Sequence, residues 1–113
     1  MKIAIIGSRS IPTIPIESYI LQNTTEDIEI VSGGAIGVDR CAAEYAKANG
    51  FKLTEFLPDY SRYGRAAPIV RNKQIVDYAD ILLIFWDGQS RGTLSVIRYA
   101  EKRSKPHRII LFK

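Results

Sequence analysis

Cysteine is nearly absent from this chain: Cys41 is the one thiol in 113 residues. A single thiol excludes an internal disulfide framework and suits a reducing compartment, so a cytoplasmic location is expected. Histidine is equally scarce, with His107 alone. A tetrahedral zinc site draws on several Cys or His side chains, so neither a metal nor a cofactor is expected. No run approaches the roughly 20 apolar residues of a membrane-spanning helix, and the opening "MKIAIIGSRS" turns polar too soon for a secretory leader. Aromatic residues make up 10% of the chain, with a single Trp, which is thin for a surface built on base stacking.

What is present is an ordinary globular composition, 46% hydrophobic and 25% charged, sufficient for one domain over residues 1–113 with its own core. The net charge of +4 and pI near 9.3 suit an anionic ligand, although many proteins share them. Five apolar runs stand out as strands: "KIAII" (2–6), "IEIVS" (28–32), "KLTEF" (52–56), "DILLIFW" (80–86) and "RIILFK" (108–113). Between them lie helical stretches. One is short, over 16–22. A second runs from Val38 to Asn49, where Val38, Cys41, Ala42, Tyr45 and Ala46 fall on one face and Gly50 follows as a stop. The third and fourth cover roughly 68–78 and 93–103, and Pro68 is acceptable in a first turn. Strands alternating with helices predict a parallel sheet covered on both faces, an α/β three-layer sandwich of Rossmann-like order 3-2-1-4-5. The flavodoxin-like order 2-1-3-4-5 is the competitor.

In such a sheet ligands bind beyond the carboxyl ends of the strands, where the strand order reverses. For order 3-2-1-4-5 the loops leaving strands 1, 2 and 4 become neighbours: "GSRS" (7–10), "SGGAIGVD" (32–39) and "DGQSRGT" (87–93). They hold six of the eight glycines, and each leads into a helix N-terminus, whose N–H groups favour anions. Five of the nine arginines, Arg9, Arg62, Arg65, Arg71 and Arg91, fall on the same edge, and the guanidinium fork matches phosphate oxygens. The expected ligand-binding residues are Gly7, Ser8, Arg9, Ser32, Gly33, Gly34, Gly37, Asp39, Arg71, Asn72, Asp87, Gly88, Ser90, Arg91, Gly92 and Thr93. Other residues read as structural. Cys41 belongs to a helix core, His107 to the surface, Trp86 to strand-end packing, and Arg98, Lys102, Arg103 and Lys105 to a solvated face near a helix C-terminus.

The stretches "GSR", "SGGAIGVDRCAAEYA", "VRNKQIVDYAD" and "FWDGQSRGTLSVIRYA", in this order, resemble the SLOG superfamily, in particular its branch related to YspA and YpsA. The resemblance covers essentially the whole chain and implies a Rossmann-like fold and a nucleotide or nucleotide derivative as ligand. It also implies a homodimer or higher homo-oligomer, in which a small sheet completes its site across a symmetric interface. The Lonely-guy enzymes of the same superfamily cleave the N-glycosidic bond of nucleoside monophosphates with a Pro-Gly-Gly-x-Gly-Thr-x-x-Glu signature and an Arg from the preceding helix. By that resemblance Arg71 stands at the Arg and Gly92-Thr93 at the Gly-Thr. Gln89-Ser90-Arg91 replaces Pro-Gly-Gly, and Val96 occupies the Glu position. The DNA-processing protein DprA shares a version of the strand 2 motif and binds single-stranded DNA.

Three readings follow from the sequence. The first is a nucleotide-binding or sensing module without strong catalysis. The second is a nucleotide N-glycosidase whose acid or base is Asp39, Glu44 or Asp87, with Arg71 assisting. The third is a single-stranded nucleic-acid binder that stacks bases on Tyr60, Tyr63 and Trp86. No membrane partner is expected.

Overall fold

The computed structural model describes residues 1–20, 27–34 and 37–112. The end of the first expected helix (21–22), the tip of the strand 2 loop (35–36) and Lys113 lie outside the described residues. Five strands, β1 (Lys2–Gly7), β2 (Glu29–Ser32), β3 (Lys52–Glu55), β4 (Ile81–Trp86) and β5 (His107–Leu111), form one sheet of order β3-β2-β1-β4-β5. Every pairing is parallel, so the expected 3-2-1-4-5 order holds and the flavodoxin-like order is excluded. Helices α1 (Glu17–Ile20), α2 (Val38–Ala48), α3 (Tyr60–Tyr63), α4 (Ala67–Tyr78) and α5 (Arg91–Lys102) complete the chain, with a 3₁₀ turn at Gly64–Ala66 between α3 and α4.

The alternation of side chains along a strand divides the core into two layers. Ile3, Ile5, Ile30, Leu83 and Phe85 face α1 and α2, where they meet Val38, Ala42, Tyr45 and Ala46. Ala4, Ile6, Val31, Leu82 and Ile84 face the other way, against Ile75, Val76 and Ala79 of the α4 side and Val96, Ile97 and Ala100 of α5. β1 and β4 are buried on both faces through their middles, as a central parallel strand requires. Each fully buried Ile or Leu contributes about 1.5–3 kcal/mol. No helix among the described residues is long and apolar enough to cross a membrane.

Some boundaries differ from the pattern-based expectation, each for a local reason. The last helix starts at Arg91 instead of residue 93, because Ser90 is its N-cap and accepts a hydrogen bond from the Thr93 N–H at 3.3 Å. The expected loop after β3 contains a turn of helix, α3, because Asp59 caps it through the Arg62 N–H. Cys41 is half-buried, with its thiol 3.6 Å from the Pro12 carbonyl, so it fastens the segment before α1 to α2 instead of sitting deep in the core. The basic C-terminal face is partly engaged, since Arg103 pairs with Asp77 at 3.3 Å.

Candidate functional site

A cavity of about 380 Å³ opens at the carboxyl ends of β1, β2 and β4, a volume within the usual range for a small-molecule site. Four groups of residues line it. β1 and its loop contribute Ile6, Gly7, Arg9 and Ser10; Gly33 and Asp39 come from the β2 side. From α4 come Pro68, Arg71, Asn72 and Ile75, and from the β4–α5 connection Asp87, Ser90, Gly92, Thr93 and Val96. Positions 68, 71, 72 and 75 follow the i, i+3, i+4, i+7 spacing of one helical face. The register of α4 on the sheet, set by buried Ile75 and Val76, therefore aims Arg71 into the opening.

Arg71 is held in place on two sides. Its Nη1 donates to the Gly33 carbonyl at 2.7 Å and its Nε donates to Asn72 Oδ1 at 2.8 Å. Nη2 has no hydrogen-bond partner among the described residues. Gly33 makes the arrangement possible: a Cβ there would stand 2.6 Å from Arg71 Nη1 and 3.0 Å from Asp39 Oδ2. Asp39, in the first turn of α2 where acids are favoured, is 8% exposed. Gly7 has a packing reason instead, since a Cβ would meet the Val38 side chain at 2.3 Å.

The β4–α5 connection is a turn organised around Asp87. Its Oδ1 accepts the N–H groups of Gln89 (2.9 Å) and Ser90 (2.7 Å), and its Oδ2 accepts the Ser10 hydroxyl at 2.6 Å. These bonds, with the Ser10 hydroxyl foremost, hold its pKa down at about 2. The side chain is therefore a fixed anion with no proton to give near neutral pH. Trp86 braces the same turn, donating its indole Nε1–H to the Ser90 carbonyl at 3.1 Å. A relay of hydroxyls closes the site: Thr93 Oγ1 lies 3.2 Å from both Ser90 Oγ and Ser8 Oγ, and Ser8 Oγ accepts the Asp87 N–H. Gly88, at φ 84°, takes a conformation that a side chain would strain. Gly92 is different. It sits in the first turn of α5, and a Cβ would meet nothing within 4 Å, so no contact among the described residues calls for glycine at that place.

Of the sixteen residues expected to bind ligand, the cavity gathers Gly7, Arg9, Gly33, Asp39, Arg71, Asn72, Asp87, Ser90, Gly92 and Thr93. Ser8 and Ser32 are buried behind it; Ser32 donates its hydroxyl to the Asp39 carbonyl and accepts the Gly34 N–H, and so shapes the turn. Gly34, Gly37, Gly88 and Arg91 do not line it. The arginine cluster is narrower than expected: Arg9 and Arg71 reach the cavity, whereas Arg62, Arg65 and Arg91 are exposed outside its lining. Glu44 is also elsewhere, paired with Arg40 at 3.3 Å on the solvent side of α2. Sequence reasoning missed Ser10 as a partner of Asp87. Its signal was weak, a second hydroxyl in "GSRS".

The comparisons with known proteins bear on the fold and the family likeness. A family model described as YAcAr, the YspA, cpYpsA-related SLOG family, matches residues 18–63, the part of the chain that carries β2, Gly33, Asp39 and β3. No curated protein matches. Among solved structures, DNA processing protein A from Helicobacter pylori, described for its single-stranded DNA binding mode, matches with TM-score 0.73 and 25% identity. The match covers 100% of this chain and 66% of that one, so this chain spans a little under two thirds of its length. With the motifs, the sheet order and the family match in agreement, this is a Rossmann-like chain similar to the YspA, cpYpsA-related SLOG family.

Proposed function

We propose that this protein binds a nucleotide or nucleotide derivative, with the ligand's phosphate cradled by the first turn of α5 and its neighbouring loops, and that it is not an efficient hydrolase. The observation that carries the reading is Gly92. Glycine is a poor helix former, and the described residues around it give no steric reason for its presence. The space above it opens on the cavity, where N–H groups at a helix N-terminus, the Ser90 and Thr93 hydroxyls and Arg71 favour an anion. The SLOG relationship supports a nucleotide-derived ligand. Against strong N-glycosidase activity, Val96 lines the cavity where the related hydrolases carry Glu, Asp87 is held as an anion by its own turn, and Glu44 is outside. Asp39 is the remaining carboxylate of the lining and the candidate if hydrolysis occurs.

Single-stranded nucleic acid is the second reading, supported by the likeness to DNA processing protein A over the full length of this chain. Tyr60, Arg62 and Arg65 are exposed on the segment leading into α4, suited to a strand leaving the cavity. Calorimetry against a panel of nucleoside monophosphates, with chromatography for released base, tests the first reading: saturable binding with little or no free base is expected. Rapid base release on any common monophosphate would establish the N-glycosidase alternative. Oligonucleotide binding that weakens steeply with salt, without monophosphate binding, would establish the second reading. A homodimer is part of the proposal on the strength of the family resemblance, and light scattering giving the 12.7 kDa monomer would remove it.

A further inference from the structure

We infer that the base of the bound nucleotide lies outside the first cavity, in a second one on the β5 side, packed against Trp86 and Leu111. This rests on the phosphate reading above and extends it to the base. The second cavity, of about 680 Å³, is lined by Ser10, Trp86, Asp87, Gly88, Gln89 and Leu111. Ser10 and Asp87 also line the first cavity. The two openings therefore share one wall, the Ser10 hydroxyl donating to Asp87 Oδ2 at 2.6 Å. A ligand whose phosphate occupies the first cavity enters the second by crossing that pair.

The two cavities differ in chemistry. The first presents Arg9, Arg71, Asn72 and hydroxyls, groups suited to a phosphate. The second presents an indole and an aliphatic side chain. Trp86 and Leu111 are register partners on β4 and β5, so both stand on one face of the sheet, the face that packs against α4 and α5. Trp86 is half-buried there, whereas Leu111 is 54% exposed, because β5 is an edge strand. Leu111 leans towards Gly88, where a Cβ would stand 3.5 Å from its Cδ1. The glycine that φ 84° requires thus also keeps the groove open beside Leu111. Neighbouring strands are about 5 Å apart, so a two-ring base covers both side chains and a one-ring base covers one. Gln89, exposed at the rim, offers an amide that both donates and accepts, as the edge of a base requires. Continuity with the phosphate site selects the ligand's own base, in preference to a second copy of the chain, as the occupant of this groove.

The test is calorimetry of the intact protein with adenosine 5′-monophosphate, cytidine 5′-monophosphate and ribose 5-phosphate, which share sugar and phosphate and differ in the base. Adenosine monophosphate should bind about ten- to hundredfold more tightly than ribose 5-phosphate, the range for a base packed on an aromatic side chain. Cytidine monophosphate should fall between them. Leu111→Ser should reduce the adenosine advantage by about fivefold. Equal affinities for adenosine monophosphate and ribose 5-phosphate, a preference for cytidine, or an advantage that Leu111→Ser leaves intact would each overturn the inference while the phosphate reading stands. An intact advantage together with loss of a dimer in light scattering would assign Leu111 to an interface between copies instead. Failure of all three compounds to bind would overturn the phosphate reading and this inference with it. The wild-type comparison decides the matter even if the variant does not fold.

Discussion

The two edges of the sheet use polar residues in opposite ways. At the amino-terminal edge they pair with one another. Glu29 accepts the hydroxyls of Thr54 and Tyr78 and has Lys52 at 3.5 Å. The Lys2 N–H reaches Asp80, and the Lys2 ammonium lies 4.2 Å above the Tyr78 ring. These contacts tie β1, β2, β3 and the end of α4 together. At the carboxyl edge, hydrogen bonds orient the groups while leaving capacity facing a cavity: Arg71 keeps Nη2 and Gly92 keeps an open space. One edge holds the sheet together, and the other presents its polar groups to a cavity, which the proposed function reads as a ligand site. Substitutions should therefore separate into those that change stability and those that change binding.

The largest separation is expected at Gly92. Gly92→Val places a branched side chain in the open space and should remove nucleoside monophosphate binding, a loss of a hundredfold or more by calorimetry. The melting temperature should change by only a few degrees, since an added Cβ meets nothing within 4 Å among the described residues. Retained binding would move the cradle away from α5. Next comes Arg71→Ala, expected to weaken binding roughly ten- to hundredfold. Arg103→Ala, which removes an exposed pair with Asp77, should leave affinity unchanged. Equal small losses from both would mean that bulk charge, not a directed contact, holds the ligand.

The smallest effect belongs to the other edge. Tyr78→Phe should cost about 1 kcal/mol of stability and leave ligand affinity alone. Its pH dependence has a definite sign. The Tyr78 hydroxyl, followed by Thr54 and Lys52, lowers the Glu29 pKa below its ordinary 4.5, against an opposing effect of burial. A lowered carboxylate pKa stabilises the fold above the ordinary value and loses that contribution as the pH falls through the folded value. The gap between wild type and Tyr78→Phe in thermal melts should thus be widest above about pH 4.5 and narrow below it. A gap that widened on acidification would mean the hydroxyl does not act through ionised Glu29.

The sheet order was legible in the sequence because it rests on two robust signals, apolar β-branched runs and glycine loops at the strand ends, joined by a family resemblance. Helical faces were legible too. The reach of Arg71 and Asn72 followed from their spacing to Ile75, and the shared face of Thr93 and Val96 from three residues of helix. Loops were harder, because a side chain in irregular backbone has no period to fix its direction. Arg9 and Arg62 look alike in the sequence, yet Arg9 reaches the cavity and Arg62 does not. The start of α5 was misplaced by two residues for a related reason: Ser90 reads equally well as a loop hydroxyl or a cap, and its bond to the Thr93 N–H decides between them.

The bond from Trp86 to the Ser90 carbonyl has a practical consequence. Trp86 is the chain's single tryptophan, so intrinsic fluorescence excited in the indole band arises from one place, the brace of the α5 cradle. A ligand that shifts Ser90 alters the environment of the indole directly, giving a titration signal that needs no label and no turnover. The molecule thus carries an optical reporter on the loop whose occupancy is in question.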